Sequence, residues 1–292
     1  MDDITFSRGP ARRPVPRVSD PLLQWATGLS TTERRIYAGW LVEVGRNQNL
    51  DGAMREAGFP QVTIKHGSGN VVTHWAVETA NLFVIAEGVQ SLAEMSHTAD
   101  RFGIAFAWRQ LQGGRQQSQL RFRAFLHELL AVGFHEPLLV TAKGTLTGDV
   151  ITALTRQYDV LDAVDAMRAQ AGKPPLQPPF YAASIPLGPG QEVARGSVQT
   201  KEITPVIAQV PTPVTKDYIA QHWIKRSWVP LVEALLDQTI AWSVATSLQI
   251  PAGEDQGAGA HEEEVAVPAP APARGAPSAQ ANGRRRYDDD LL

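Results

Sequence analysis

Seven histidines, thirty carboxylates and no cysteine set the limits on the chemistry open to this 292-residue chain. Without thiols there is no disulfide, thiolate zinc site, iron–sulfur cluster or cysteine nucleophile. The histidines (His66, His74, His97, His127, His135, His222 and His261) form no H-x-x-x-H, H-x-H or H-E-x-x-H spacing. A metal site would therefore need distant positions. His127 and His135 flank a segment expected to bend and are the pair best placed to converge. Ordinary surface or hydrogen-bonded histidines are the expected reading. Asp159, Asp162 and Asp165 recur every three residues on one predicted helix. With Val160, Leu161, Val164 and Met167 opposite, they read as its wet face and not as a metal cluster. The glycine-rich turn at 67–69 fits neither a phosphate loop nor a nucleophile elbow. No nucleophile–base arrangement is visible, so the chain is expected to be no enzyme and to use no cofactor.

The segment 101–125, RFGIAFAWRQLQGGRQQSQLRFRAF, carries a different kind of chemistry. It holds Arg101, Arg109, Arg115, Arg121 and Arg123 and no acidic residue. Its spacing predicts a hairpin. Phe102, Ile104, Phe106 and Trp108 alternate onto one face, and Arg101, Ala105, Ala107 and Arg109 onto the other. On the returning strand Leu120, Phe122 and Ala124 oppose Arg121, Arg123 and Phe125. An apolar core face and an exposed basic face with a Gly/Ala floor follow. A polyanion laid across that floor would meet arginines at its phosphates. Phe125 would offer a ring for a base to stack on, with Trp108 the weaker platform. That is the logic of single-strand binding.

The elements that must position these residues read as mixed α and β. Residues 1–20 combine Arg8, Arg12, Arg13 and Arg17 with Pro10, Pro14 and Pro16, and read as a disordered basic arm. They lack the apolar run of a secretory signal. A globular body is expected over 21–250. Strands are predicted over 36–44, 81–89 and 138–143, with a hairpin over 61–77 turning at Gly67–Asn70. Asn49 is expected to cap a helix closed by Gly58, and Thr147 to cap a long helix to 169. The four prolines of 173–180 make a stiff connector and a possible sub-boundary. Strands at 184–187 and 203–210 precede helices over 215–226 and 230–243. The pattern predicts an α+β fold: an antiparallel, OB-like or hairpin-rich sheet with C-terminal helices.

Residues 251–292 differ in kind. Eight acids face four arginines, and 20 of the 42 residues are Ala, Gly or Pro. Such a composition cannot bury enough apolar area to offset its conformational entropy and reads as a disordered linker. It ends in RRRYDDDLL. Globular body, Pro/Gly-rich linker, aspartates and a hydrophobic end resemble the C-terminal organisation of bacterial single-stranded DNA-binding proteins. The resemblance is limited to this linker and tip. That family ends in Ile-Pro-Phe or Leu-Pro-Phe after its aspartates, whereas Leu291 and Leu292 stand here. The resemblance implies that Asp288, Asp289, Asp290, Leu291 and Leu292 engage partner proteins, carboxylates on basic residues and leucines in an apolar pocket.

The two signals agree on a single-stranded DNA-binding or strand-annealing protein of DNA replication, recombination or repair. Expected partners are single-stranded DNA, DNA-processing proteins at the C-terminal tip, and further copies of the chain. No run approaches the ~18 apolar residues of a membrane helix, so no membrane partner and a cytoplasmic, nucleoid-associated location are expected. The alternative is a scaffold subunit that docks a partner through Trp223, Trp228 and Trp242.

Overall fold

The computed structural model describes residues 20–27, 30–31, 34–35, 37–65, 71–95, 102–110, 116–195 and 201–249. The basic arm, the turn at 67–70, Arg101, Arg115, His66, His97, His261 and the tail with its tip lie outside these residues.

The elements run β1 (Leu22–Thr27), β2 (Ser30–Thr31), β3 (Arg34–Arg35), β4 (Ala38–Glu43) and α1 (Gln48–Glu56). There follow β5 (Gln61–Lys65), β6 (Val71–Val77), β7 (Ala80–Val84), α2 (Leu92–Met95), β8 (Ile104–Gln110) and β9 (Gln116–Leu126). Next come α3 (His127–Ala131), β10 (Leu138–Lys143), α4 (Leu146–Gln170) and a 3-10 turn (Phe180–Ala182). Last are β11 (Ile185–Pro189), β12 (Val193–Arg195), β13 (Lys201–Ile203), β14 (Val206–Ala208), α5 (Lys216–His222) and α6 (Val229–Gln249).

One ten-stranded sheet organises them, in the order β14-β11-β7-β9-β10-β1-β4-β6-β5, with β8 also on β9. The eleven-residue β9 is its spine. β10 lines one edge of it, while β8 and then β7 share the other. β1 and β10 are parallel and the other pairings antiparallel, so the antiparallel expectation holds only in part. The sheet is also larger than the five strands of an OB fold. It curls: Trp40 Nε1 on β4 donates to Leu187 O on β11 at 2.8 Å, although four strands separate them in the sheet. Trp25 Nε1 makes a second such span to Thr204 O at 3.0 Å.

The inner face of this half-barrel holds the larger core. Leu23, Trp40, Phe106, Leu120, Phe122 and Val140 pack there with Val150, Ile151 and Leu154 of α4. The outer face carries a second core, in which Phe83, Ile85 and Phe125 meet Trp228 and Val232 at the start of α6. Burial on both faces explains why the outward Arg123 and Phe125 of β9 are as enclosed as the inward Leu120 and Phe122.

Local signals place most ends. Asn47, not Asn49, caps α1, accepting from Asn49 N and Leu50 N. Gly58 follows it at φ +81, a left-handed backbone that glycine adopts freely. Thr147 lies inside the first turn of α4, and Asp149 there pairs bidentately with Arg195, both bonds 2.8 Å. Asp165 accepts from Leu176 N at 2.6 Å, which fastens the proline-rich connector to α4. Among the described residues no helix is long and apolar enough to cross a membrane.

Candidate nucleic-acid interface

β8 and β9 form a two-stranded ribbon in the expected register, Ile104 opposite Phe122 and Trp108 opposite Ser118. Its inner side is sealed by Ile104, Phe106, Leu120 and Phe122, each under 5% exposed. Trp108 continues this side past the edge of the core. It stands 45% exposed, its ring edge-on to Phe106 at 5.7 Å. Opposite it, Ser118 Oγ donates to Gly144 O at 2.9 Å and lies 3.0 Å from Thr147 Oγ1. Those contacts tie the ribbon to the start of α4, so the tryptophan is presented from a fixed support. Trp108, expected on this side and as the weaker platform, is thus the exposed ring of the ribbon.

The outer side of the ribbon also departs from expectation, because α6 lies across it. Ala105 and Ala107, 1% and 8% exposed, are a floor for this helix and not for a polyanion. Small side chains let the helix seat closely, and its Ser247 Oγ accepts from Phe106 N on the outer edge of β8 at 3.1 Å. Phe125 is 1% exposed within the outer core and offers no stacking face. Arg123 is 5% exposed. Its Nε and Nη2 donate to Asp20 at 2.6 and 3.2 Å, and Nη1 donates to Thr239 Oγ1 on α6 at 3.2 Å. An arginine so held is a structural group, not a phosphate ligand. Burial raises the Asp20 pKa above its ordinary value, against the lowering influence of Arg123.

Arg121 is half-buried two residues away on the same face. With the Gln119 amide oxygen turned towards it, its guanidinium donates at 2.9 and 3.2 Å. Thr141 and Lys143 of β10 lie opposite Arg121 and Gln119, which brings a lysine beside this arginine. Arg109 sits opposite Gln117 on the ribbon; Arg101 and Arg115 lie outside the described residues. Lys143 was not anticipated, although the alternation of LLVTAK puts Leu139, Thr141 and Lys143 on one face. Asp20 had no local signal at all, since its partner is more than a hundred residues away.

His127 packs against the rings of Phe83 and Trp228 at 5.5 and 5.3 Å, while His135 is exposed, so the two form no joint site. Among the described residues no group of acids and histidines could hold a metal. Asp159 pairs with Arg156 on its own helix. Ser184 Oγ and His222 Nδ1 lie 3.0 Å apart, a nucleophile–base distance, with the two residues 0% and 8% exposed. Trp228 and Trp242 are buried at 6% and 5%, so neither offers a docking surface; Trp223 is half-buried beside Tyr218.

No family model, no curated protein and no solved structure matches this chain.

Proposed function

We propose that the chain binds single-stranded DNA along the β8–β9 ribbon and recruits DNA-processing proteins through Asp288–Leu292. The supporting observation is Trp108: a large ring, 45% exposed, on a supported ribbon whose sequence from 101 to 125 contains arginines and no acid. An exposed ring stacks on any base, because every base has a π-face, and neighbouring cations hold the backbone. Arg121 and Lys143 lie diagonally across β9 and β10 on the other face of the sheet from Trp108, with Arg109 on their face by register, so a strand stacked on Trp108 would reach them by passing around the ribbon. Phe125 and Arg123 are no part of this reading. Self-association of the chain would multiply a single small site along one strand.

Titration of a labelled oligothymidine with the full chain, by fluorescence anisotropy at low salt, tests this. Trp108→Ala should weaken binding by about 1–3 kcal/mol. Affinity for a duplex of equal length should be lower. Absence of single-strand binding by the unaltered chain at low salt would end the proposal.

A further inference from the structure

Where the sheet curls back on itself, the start of β4 comes up to the end of β11, and a cleft of about 660 Å³ opens there. That is the size of a small-molecule site, and it shares no residue with the ribbon. Tyr37, immediately before β4, lines it with Glu78 of the β6–β7 turn. Gly190, Gln191 and Glu192 of the β11–β12 connection and Thr204, two residues before β14, complete the lining that matters here. The frame is fastened. Thr204 O accepts from Trp25 Nε1 at 3.0 Å, Thr204 N donates to Thr27 O at 2.8 Å, and Gly190 N donates to Pro205 O at 2.9 Å. It is also tight. A Cβ on Gly190 would fall 2.9 Å from Ile207 Cγ2, and one on Gly39 would fall 2.3 Å from the Tyr37 hydroxyl. The tyrosine is thus folded over a position of β4 that only glycine leaves open.

Two hydroxyls of this lining lack partners. Tyr37 Oη is buried and makes no hydrogen bond among the described residues. Thr204 is 4% exposed, and among the described residues its amide and carbonyl are bonded but its hydroxyl is not. Buried polar groups without partners cost stability, and native folds leave few of them. The charge of the lining has one sign: Glu78 and Glu192 are acidic, and none of the lining residues is basic. Burial first, and then the Glu78 charge, raise the Tyr37 pKa, so the phenol keeps its proton. Carboxylate and hydroxyl oxygens converging in one cleft call for N–H donors. Two carboxylates do not make a metal shell, and among the described residues no group of three acids or histidines does. The geometry points to a binding site for a small organic cation, an ammonium or guanidinium group whose N–H donors are taken up by Glu78, Glu192, Thr204 and the Tyr37 hydroxyl. Charge-assisted hydrogen bonds of this kind are the strong ones. The site is independent of strand binding at Trp108, and either can fail without the other.

The test uses the full-length chain, isotope-labelled for amide NMR and titrated separately with n-butylguanidinium, n-butylammonium, butyrate and magnesium ion at constant ionic strength. Both organic cations should shift the amide resonances of Gly190, Gln191 and Thr204 to saturation, and butyrate should not. Glu78→Gln should weaken the guanidinium affinity about tenfold, the worth of one hydrogen bond to a charged group. Tyr37→Phe should weaken it as well, yet keep or raise the melting temperature, because it removes a buried hydroxyl that has no partner in the empty cleft. A tyrosine with a structural role alone would not separate affinity from stability in this way. Shifts confined to the acidic residues 251–292 would mean loose counter-ion binding and overturn the inference. Equal shifts with butyrate, a stronger response to magnesium than to butylguanidinium, or unchanged affinity in both variants would each overturn it too.

Discussion

Arg121 and Arg123 stand on the same face of β9, yet their surroundings assign them opposite work. Arg123 is sealed under α6 with Asp20 and Thr239; Arg121 is half-buried against Gln119. Arg123→Ala leaves a carboxylate in a site where burial already raises its pKa. It should lower unfolding free energy by about 3 kcal/mol, read as a lower denaturant midpoint. Arg121→Ala should leave that midpoint nearly unchanged and weaken oligonucleotide binding. Should Arg123→Ala unfold at the same midpoint as the parent, the ion pair is not what holds α6 and Asp20 in place. The contrast marks how far the sequence was legible at this scale. Period-two alternation correctly separates Phe122 from Arg121 and Arg123. Whether a face is wet depends on what lands on it. Thr239 lies 116 residues from Arg123, and no local pattern carries that information.

The elements tell the same story in larger pieces. The second hairpin, the strand at Leu138–Lys143 and the long α4 were legible because each has its own period and punctuation. β1 was not foreseen, since its partners β4 and β10 come from different parts of the chain. Of the outer layer of α3, α5 and α6, the last two were legible as helices but not as a cover, and α3 was not predicted. Two histidines sit in that layer. His127 packs against Phe83 and Trp228, and His222 lies beside Ser184 under the ring of Tyr218, 4.3 Å away. Burial lowers both pKa values below the ordinary 6.5, helped by Lys225 for His127 and by His127 for His222. In acid the unfolded chain takes up protons that the folded one refuses. The stability from these contacts is complete above pH 6.5 and declines as pH falls through 6.5 towards the folded values. Asp20 and Glu128, raised by burial, act in the opposite sense, nearer their ordinary 3.8 and 4.5. The melting temperature should therefore drop between about pH 7.5 and pH 5.5, with a shallower drop in His222→Gln. A flat or rising profile over that interval would contradict this account of the outer layer.

At the scale of the whole molecule, both ends of the folded body open onto the ribbon side of the sheet. The arm begins at Asp20 over β9, and α6 carries the chain to β8, where Ser247 meets Phe106, before the linker starts. On the proposed reading, a partner held by the acidic tip would be tethered by the linker to the same body that holds the strand. Deleting Asp288–Leu292 should leave the melting temperature unchanged, because five residues at the end of a Pro/Gly/Ala-rich linker add little to the packing of the body. It should abolish capture of DNA-processing proteins on the immobilised chain. On the proposed reading it should also raise single-strand affinity modestly at low salt, because a polyanion able to compete for the same cations has been removed. That gain should vanish at high salt, as the Debye length falls from ~10 Å at 0.1 M to ~3 Å at 1 M. Leu291→Ser with Leu292→Ser separates the two effects, since it keeps the three aspartates and removes the apolar anchor. This variant should lose the captured proteins and keep the parent's DNA affinity at every salt concentration. Retention of all captured proteins by the serine variant would mean that the tip contributes charge alone, and recruitment through residues 288–292 would have to be abandoned.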